Sequence, residues 1–144
     1  MSRLLAAIAA ALLLSLPAAA QAPPFVPVPG IGTGISPVVS TAAEGSHVLL
    51  AKPGNLYTLT TTIGATSGWI MLFDAVTDPP DGAVPNTLRW CKPVLSNGTL
   101  GGDTEAWPPN ATMKFSTGIT VAFSSTGCGT KTESATAFFY GEAQ

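Results

Sequence analysis

The side chains able to do chemistry are few and thinly spread. The single histidine, His47, opens the run His47-Val48-Leu49-Leu50-Ala51-Lys52. Serines and aspartates are available for a Ser-His-Asp arrangement, but no Gly-x-Ser-x-Gly elbow accompanies them, and a histidine at the start of a strand reads as a surface residue. The one acidic cluster is Asp74, Asp78 and Asp81, spread over Asp74-Ala75-Val76-Thr77-Asp78-Pro79-Pro80-Asp81-Gly82. Oxygen ligands on a loop suit Ca²⁺, yet this spacing lacks the Asp-x-Asp-x-Asp-Gly rhythm and the distal glutamate of an EF-hand. Asp78 and Asp81 read first as turn formers whose carboxylates bond nearby N–H groups. As a glycosidase acid pair they are weakly placed, because both sit on one short loop. No catalytic residue, metal or cofactor is therefore expected.

The aromatic residues make a better binding feature. Trp90 and Trp107, with Tyr57 and Tyr140, would form a platform for sugar rings if they shared a face, since Tyr and Trp combine apolar area with a polar handle. The alternative places Trp90 in the core and has Trp107 staple a loop; Trp69, flanked by apolar residues, is assigned to the core. The two cysteines, Cys91 and Cys128, are expected to pair if the chain is exported. A two-cysteine metal site would need further ligands. Closing this loop is expected to stabilise the fold by roughly 3–4 kcal/mol.

Export is what the first residues imply. Met1-Ser2-Arg3 is a positive start, Leu4 to Leu16 an Ala/Leu/Ile run, and Ala20-Gln21-Ala22 a small-x-small cleavage pattern. Together they read as a secretory signal peptide over residues 1–22, with a run too short to span a bilayer comfortably. Residues 23–46, beginning Pro23-Pro24-Phe25-Val26-Pro27-Val28-Pro29-Gly30, alternate Pro with apolar residues and read as an extended arm. That arm is either a loosely draped leader or a segment that docks on a neighbour.

From 47 to 144 the pattern is that of short strands. The stretch Ser67-Gly68-Trp69-Ile70-Met71-Leu72-Phe73-Asp74-Ala75 is continuously apolar between turn residues, as expected of a central strand buried on both faces. His47–Lys52 and Leu56–Ile63 flank Pro53-Gly54 and read as a hairpin. In Thr87–Lys92 the alternation puts Leu88, Trp90 and Lys92 on one face and Arg89 and Cys91 on the other, with Pro93 marking an edge or an end. Asn97-Gly98 is a two-residue turn signal. Met113–Ser116, Ile119–Ser124 and Ala135–Gly141 complete the set, with Ile119, Val121 and Phe123 pointing inward. The fold expected is all-β: a single antiparallel, jelly-roll-like β-sandwich with one disulfide.

The segment Leu49 to Phe139 resembles a group of small, largely uncharacterised β-rich proteins of bacteriophages, prophages and bacterial genomes. The resemblance rests on Leu50-Ala51-Lys52-Pro53-Gly54-Asn55-Leu56-Tyr57, on Gly68 to Ala75, on Pro80-Asp81-Gly82, and most strongly on Phe115 to Cys128. Thr130-Lys131-Thr132 and Ser134-Ala135-Thr136-Ala137-Phe138 extend it. It implies a compact β-sandwich used as a virion accessory or surface-attached module and transfers no site residue. An export signal departs from virion assembly in the cytoplasm and points to an exported relative.

Charge narrows the partners. Of six basic residues Arg3 lies in the leader, leaving five against eight acidic ones, so a nucleic-acid partner is not expected. The reading is a non-enzymatic exported structural or interaction protein of phage-like ancestry, secreted or periplasmic in a bacterium, without a membrane span after cleavage. A glycan or protein surface is the expected partner. The alternatives are a carbohydrate-binding module and, third, a small secreted hydrolase.

Overall fold

The computed structural model describes residues 35–144. The expected signal peptide and the first part of the arm lie outside them. Eleven strands follow in order: β1 (Ser36–Val39), β2 (Ser46–Leu50), β3 (Gly54–Ile63), β4 (Gly68–Asp74), β5 (Gly82–Ala83), β6 (Leu88–Val94), β7 (Gly101–Ala106), β8 (Met113–Phe115), β9 (Ile119–Ser124), β10 (Thr130–Lys131) and β11 (Ala137–Ala143). No helix forms among the described residues.

Two antiparallel sheets carry the fold. The first has the order β1-β11-β3-β7, with β8 pairing the start of β3; the second has the order β2-β9-β4-β6. β5 and β10 form a separate two-stranded ladder. Apart from the short β5, β8 and β10, every connection except that from β4 to β6 crosses from one sheet to the other. That wrapped order is a jelly roll.

The hairpin expected over β2 and β3 does not form. β2 pairs with β9 and β3 with β11, so the turn at Pro53-Gly54 carries the chain between sheets. A turn signal specifies a reversal, but which edge each strand joins depends on where its apolar residues can be buried. The arm is shorter than expected, because Ser36–Val39 is a strand paired with β11. Its Pro37 sits on an outer edge, where a missing N–H costs no ladder bond.

Between the sheets lies the core. Leu56, Leu59 and Ile63 of β3 and Phe139 of β11 meet Ile70 and Leu72 of β4 and Ile119, Val121 and Phe123 of β9. Each such side chain contributes about 1.5–3 kcal/mol on leaving water. β4 lies inside the second sheet and is buried on its outer face too, where Met71 and Phe73 pack with Ala122 under Val84 and Leu88. The continuous apolar run follows from this double burial. Trp69, expected in the core, is instead half-buried at the start of β4, beside Gly127.

β6 corrects a face assignment. Leu72 pairs with Trp90 but the next residue, Phe73, pairs with Leu88, leaving Arg89 as an extra residue in β6. This bulge reverses the alternation. Leu88 accordingly packs on the outer cluster with Cys91, while Trp90 packs against the inter-sheet core.

Candidate functional site

The structure separates the three aspartates. Asp74, at the end of β4, clips the turn between β8 and β9. Its Oδ2 accepts from the Ser116 N–H at 2.9 Å and hydroxyl at 2.7 Å, and its Oδ1 from the N–H groups of Thr117 at 2.7 Å and Gly118 at 3.4 Å. Burial by itself would raise this carboxyl, but those donors outweigh it and bring it from 3.8 down to about 2. Both oxygens are committed to the fold. Asp74 therefore does not join Asp78 and Asp81 in a cation site.

Asp78 and Asp81 converge on Lys131, which no sequence feature singles out. The Lys131 side chain, only 1% exposed, places Nζ 2.6 Å from Asp78 Oδ2, 3.2 Å from Asp81 Oδ1 and 3.3 Å from Glu133 Oε2. Burial would push the amine down, but hydrogen bonds to Asp78, Asp81 and Glu133 hold it above the usual lysine value. Burial pushes Asp78 up, with Glu133 adding to the rise and Lys131 opposing it. Asp81 accepts the Glu133 N–H at 3.0 Å, and this bond, with Lys131, lowers its carboxyl. Asp78 Oδ1 is buried without a hydrogen-bond partner. The aspartates thus do more than form a local turn: they anchor the β5–β10 ladder that roofs the second sheet.

The four aromatic residues do not assemble into one platform. Trp90 and Trp107 meet edge to face, with centroids 5.8 Å apart and planes at 83°, each packed in part on the core. They bridge β6 of one sheet to the end of β7 of the other. Beside them Lys92 on β6 pairs with Asp103 at 2.6 Å and with Glu105, both on β7. The bond from Lys92 lowers Asp103, and the hydrogen bonds that Lys92 donates to Asp103 and Glu105 raise the amine. The pairing closes one open side of the sandwich. Tyr57 donates to Gln144 at 3.4 Å, and Tyr140, on β11, donates to Glu142 at 3.1 Å. Burial, with Glu142 beside it, raises the Tyr140 hydroxyl.

His47 Nδ1 lies 2.7 Å from Glu44, while the neighbouring Ser46 hydroxyl turns to Glu133 at 3.3 Å. This is an acid–imidazole pair on an edge strand, with Ser46 directed elsewhere. Cys91 and Cys128 form the disulfide, Cα–Cα 5.8 Å, tying the turn after β9 to β6 across β4. Among the described residues no group of three or more His, Cys, Asp or Glu side chains is placed to hold a metal. Nor is any described helix long and apolar enough to cross a membrane.

Among the described residues, one sheet face carries exposed apolar side chains. On the outer face of the first sheet, register aligns Val39 with Tyr140, Tyr140 with Thr60, and Thr60 with Thr104, with Phe138 opposite Thr62. Phe138 is 46% exposed and Val39 53%. The charged group aligned here, Glu142, accepts from Thr58 at 3.1 Å as well as from Tyr140.

No family model matches the chain, and no curated protein matches it. Among solved structures it is matched by the cryo-EM structure of the extra small virus (XSV) VLP of the giant freshwater prawn Macrobrachium rosenbergii. The identity is 13%, the TM-score 0.33, and the match covers 85% of this chain and 84% of that one.

Proposed function

We propose that this chain is a non-enzymatic structural or interaction protein, exported by a bacterium and of the phage-like ancestry its sequence resembles. The observation that carries the reading is the contrast between the two outer faces. Among the described residues, the middle of the second sheet is covered by Val84, Leu88 and Cys91, whereas the first presents Phe138, Val39 and the half-buried Tyr140 among threonines. Exposed aromatic and aliphatic side chains on a rigid sheet fit a surface made for contact. The groups capable of proton transfer are engaged in holding strands: Asp74 on three N–H groups, Lys131 in its carboxylates, His47 on Glu44.

The test uses the secreted protein and a charge placed on each face. Phe138→Lys is expected to leave the melting temperature nearly unchanged. It should abolish co-sedimentation with particles released after prophage induction, or self-association in sedimentation velocity. Val48→Lys, exposed on β2, is the matched control. A hydrolytic activity lost in His47→Ala with the fold intact would overturn the proposal.

The carbohydrate reading is supported by the exposed Phe138 and the half-buried Tyr140 beside the hydroxyls of Thr58, Thr60 and Thr104. It predicts that Tyr140→Ala removes glycan binding without lowering the melting temperature. Loss of glycan binding in Trp90→Ala alone would move the site elsewhere.

A further inference from the structure

We propose that Lys131 and Asp78 condense to an intramolecular amide, a covalent clasp between the Asp78–Ala83 loop and β10. Three features of the site support the bond. The amine is almost wholly shielded from solvent and sits 2.6 Å from Asp78 Oδ2, in direct contact with the carboxyl whose Cγ it would attack, so the two groups are held together ahead of the step. The other carboxylate oxygen, Oδ1, is buried with no donor, so the ion pair leaves one of its acceptors unsatisfied. A third group able to carry a proton, Glu133 Oε2, lies 3.3 Å from the amine and is itself partly open to water.

The reaction balances without an outside reagent. The resting amine is charged, so it first gives a proton to Glu133 and then adds through Nζ to Asp78 Cγ. The Cγ–Oδ2 bond breaks as Oδ2 takes the proton held by Glu133 and a second one from the amine, and leaves as water. Oδ1 stays as the amide carbonyl. Burial, which pushes Asp78 up, favours delivery of a proton to the departing oxygen. A buried ammonium and a half-buried carboxylate are thereby exchanged for a neutral amide, which lowers the desolvation cost of the pair. Asp81 is a positioning residue: it accepts from both the amine and the Glu133 N–H and so fixes the segment during the step.

Intact mass of the mature, non-reduced protein is the experiment. The expected mass is lower than the disulfide form by one water. After reduction, trypsin should fail to cut after Lys131 and should release a branched peptide joining Asp78 to Lys131. K131R is expected to restore the lost water. E133Q changes a partly exposed side chain, keeps the fold, and should slow the reaction enough to leave most of the chain at full mass.

A wild-type mass showing the disulfide alone overturns the proposal. So does a water loss that persists in K131R, because that would be an aspartimide at Asp81-Gly82. Full cross-linking in E133Q would overturn the assignment of Glu133 as proton carrier.

Discussion

Removing the disulfide should lower stability by an amount that chain connectivity sets. Cys91 and Cys128 are separated by 37 residues, and closing a loop of that size removes roughly 13 cal/mol/K of denatured-state entropy, or about 4 kcal/mol at 25 °C. The described unit is about 110 residues long, for which the entropy of unfolding is about 230 cal/mol/K, so the melting temperature should fall by roughly 15 °C. Cys91→Ala/Cys128→Ala is a suitable perturbation. Cys91 packs only partly, against the outer cluster of Met71 and Phe73, and Cys128 is exposed, so little packing is lost with the sulfurs. Scanning calorimetry on the oxidised protein, the reduced protein and the double variant is the assay. The last two should melt together, far below the first. If reduction left the melting point within about 3 °C of the oxidised form, the loop-closure reasoning would be refuted.

Other perturbations probe different terms. Asp74 has a carboxyl held at about 2 against 3.8 when free. Its stabilisation is fully present above the unfolded value and is lost as pH falls through the folded one. Discounted for its partial exposure, that is worth roughly 1–2 kcal/mol, and Asp74→Ala should remove this acid-side slope in denaturation curves taken between those pH values. Thr61 faces the core with a hydroxyl that has no partner, so Thr61→Val should raise stability by about 1 kcal/mol in urea unfolding; a loss of stability would mean the hydroxyl is bonded. Trp90→Ala, which empties a partly buried site across from Trp107, should cost about 2–3 kcal/mol. Unchanged melting would show that the indole supports no packing between the sheets.

How far the chain could be read before its tertiary structure follows from the range of the forces involved. The double-faced burial of β4 is legible in Trp69 to Phe73 because a run without polar residues has no wet side. The inward set Ile119, Val121 and Phe123 is legible by its period of two. The turn at Asn97-Gly98 follows from local chemistry: Asn97 Oδ1 accepts from the N–H groups of Thr99 and Leu100, and Gly98 takes a φ of 91°. An even cysteine count, with the export expected of the chain, is enough to anticipate the disulfide.

Only the assembled fold decides the rest. β7, Gly101 to Ala106, carries no apolar pattern, and Asp103 and Glu105 fall in line only because Lys92 waits on the opposite sheet. β2 and β3 look like a hairpin locally and are divided between sheets by their long-range ladders. Trp90 and Leu88 part company through one extra residue in β6. Lys131 stands between two threonines, and its one partner nearby in sequence, the partly exposed Glu133, does not by itself predict burial. Its partners Asp78 and Asp81 arrive from about 50 residues away. Local sequence determines where the chain extends, reverses and hides apolar surface, since those terms act between neighbours. Which strand edges meet, and which charges can be buried together, depends on partners brought close only by the completed sandwich, because a buried charge is tolerated only where an opposite one is already in place.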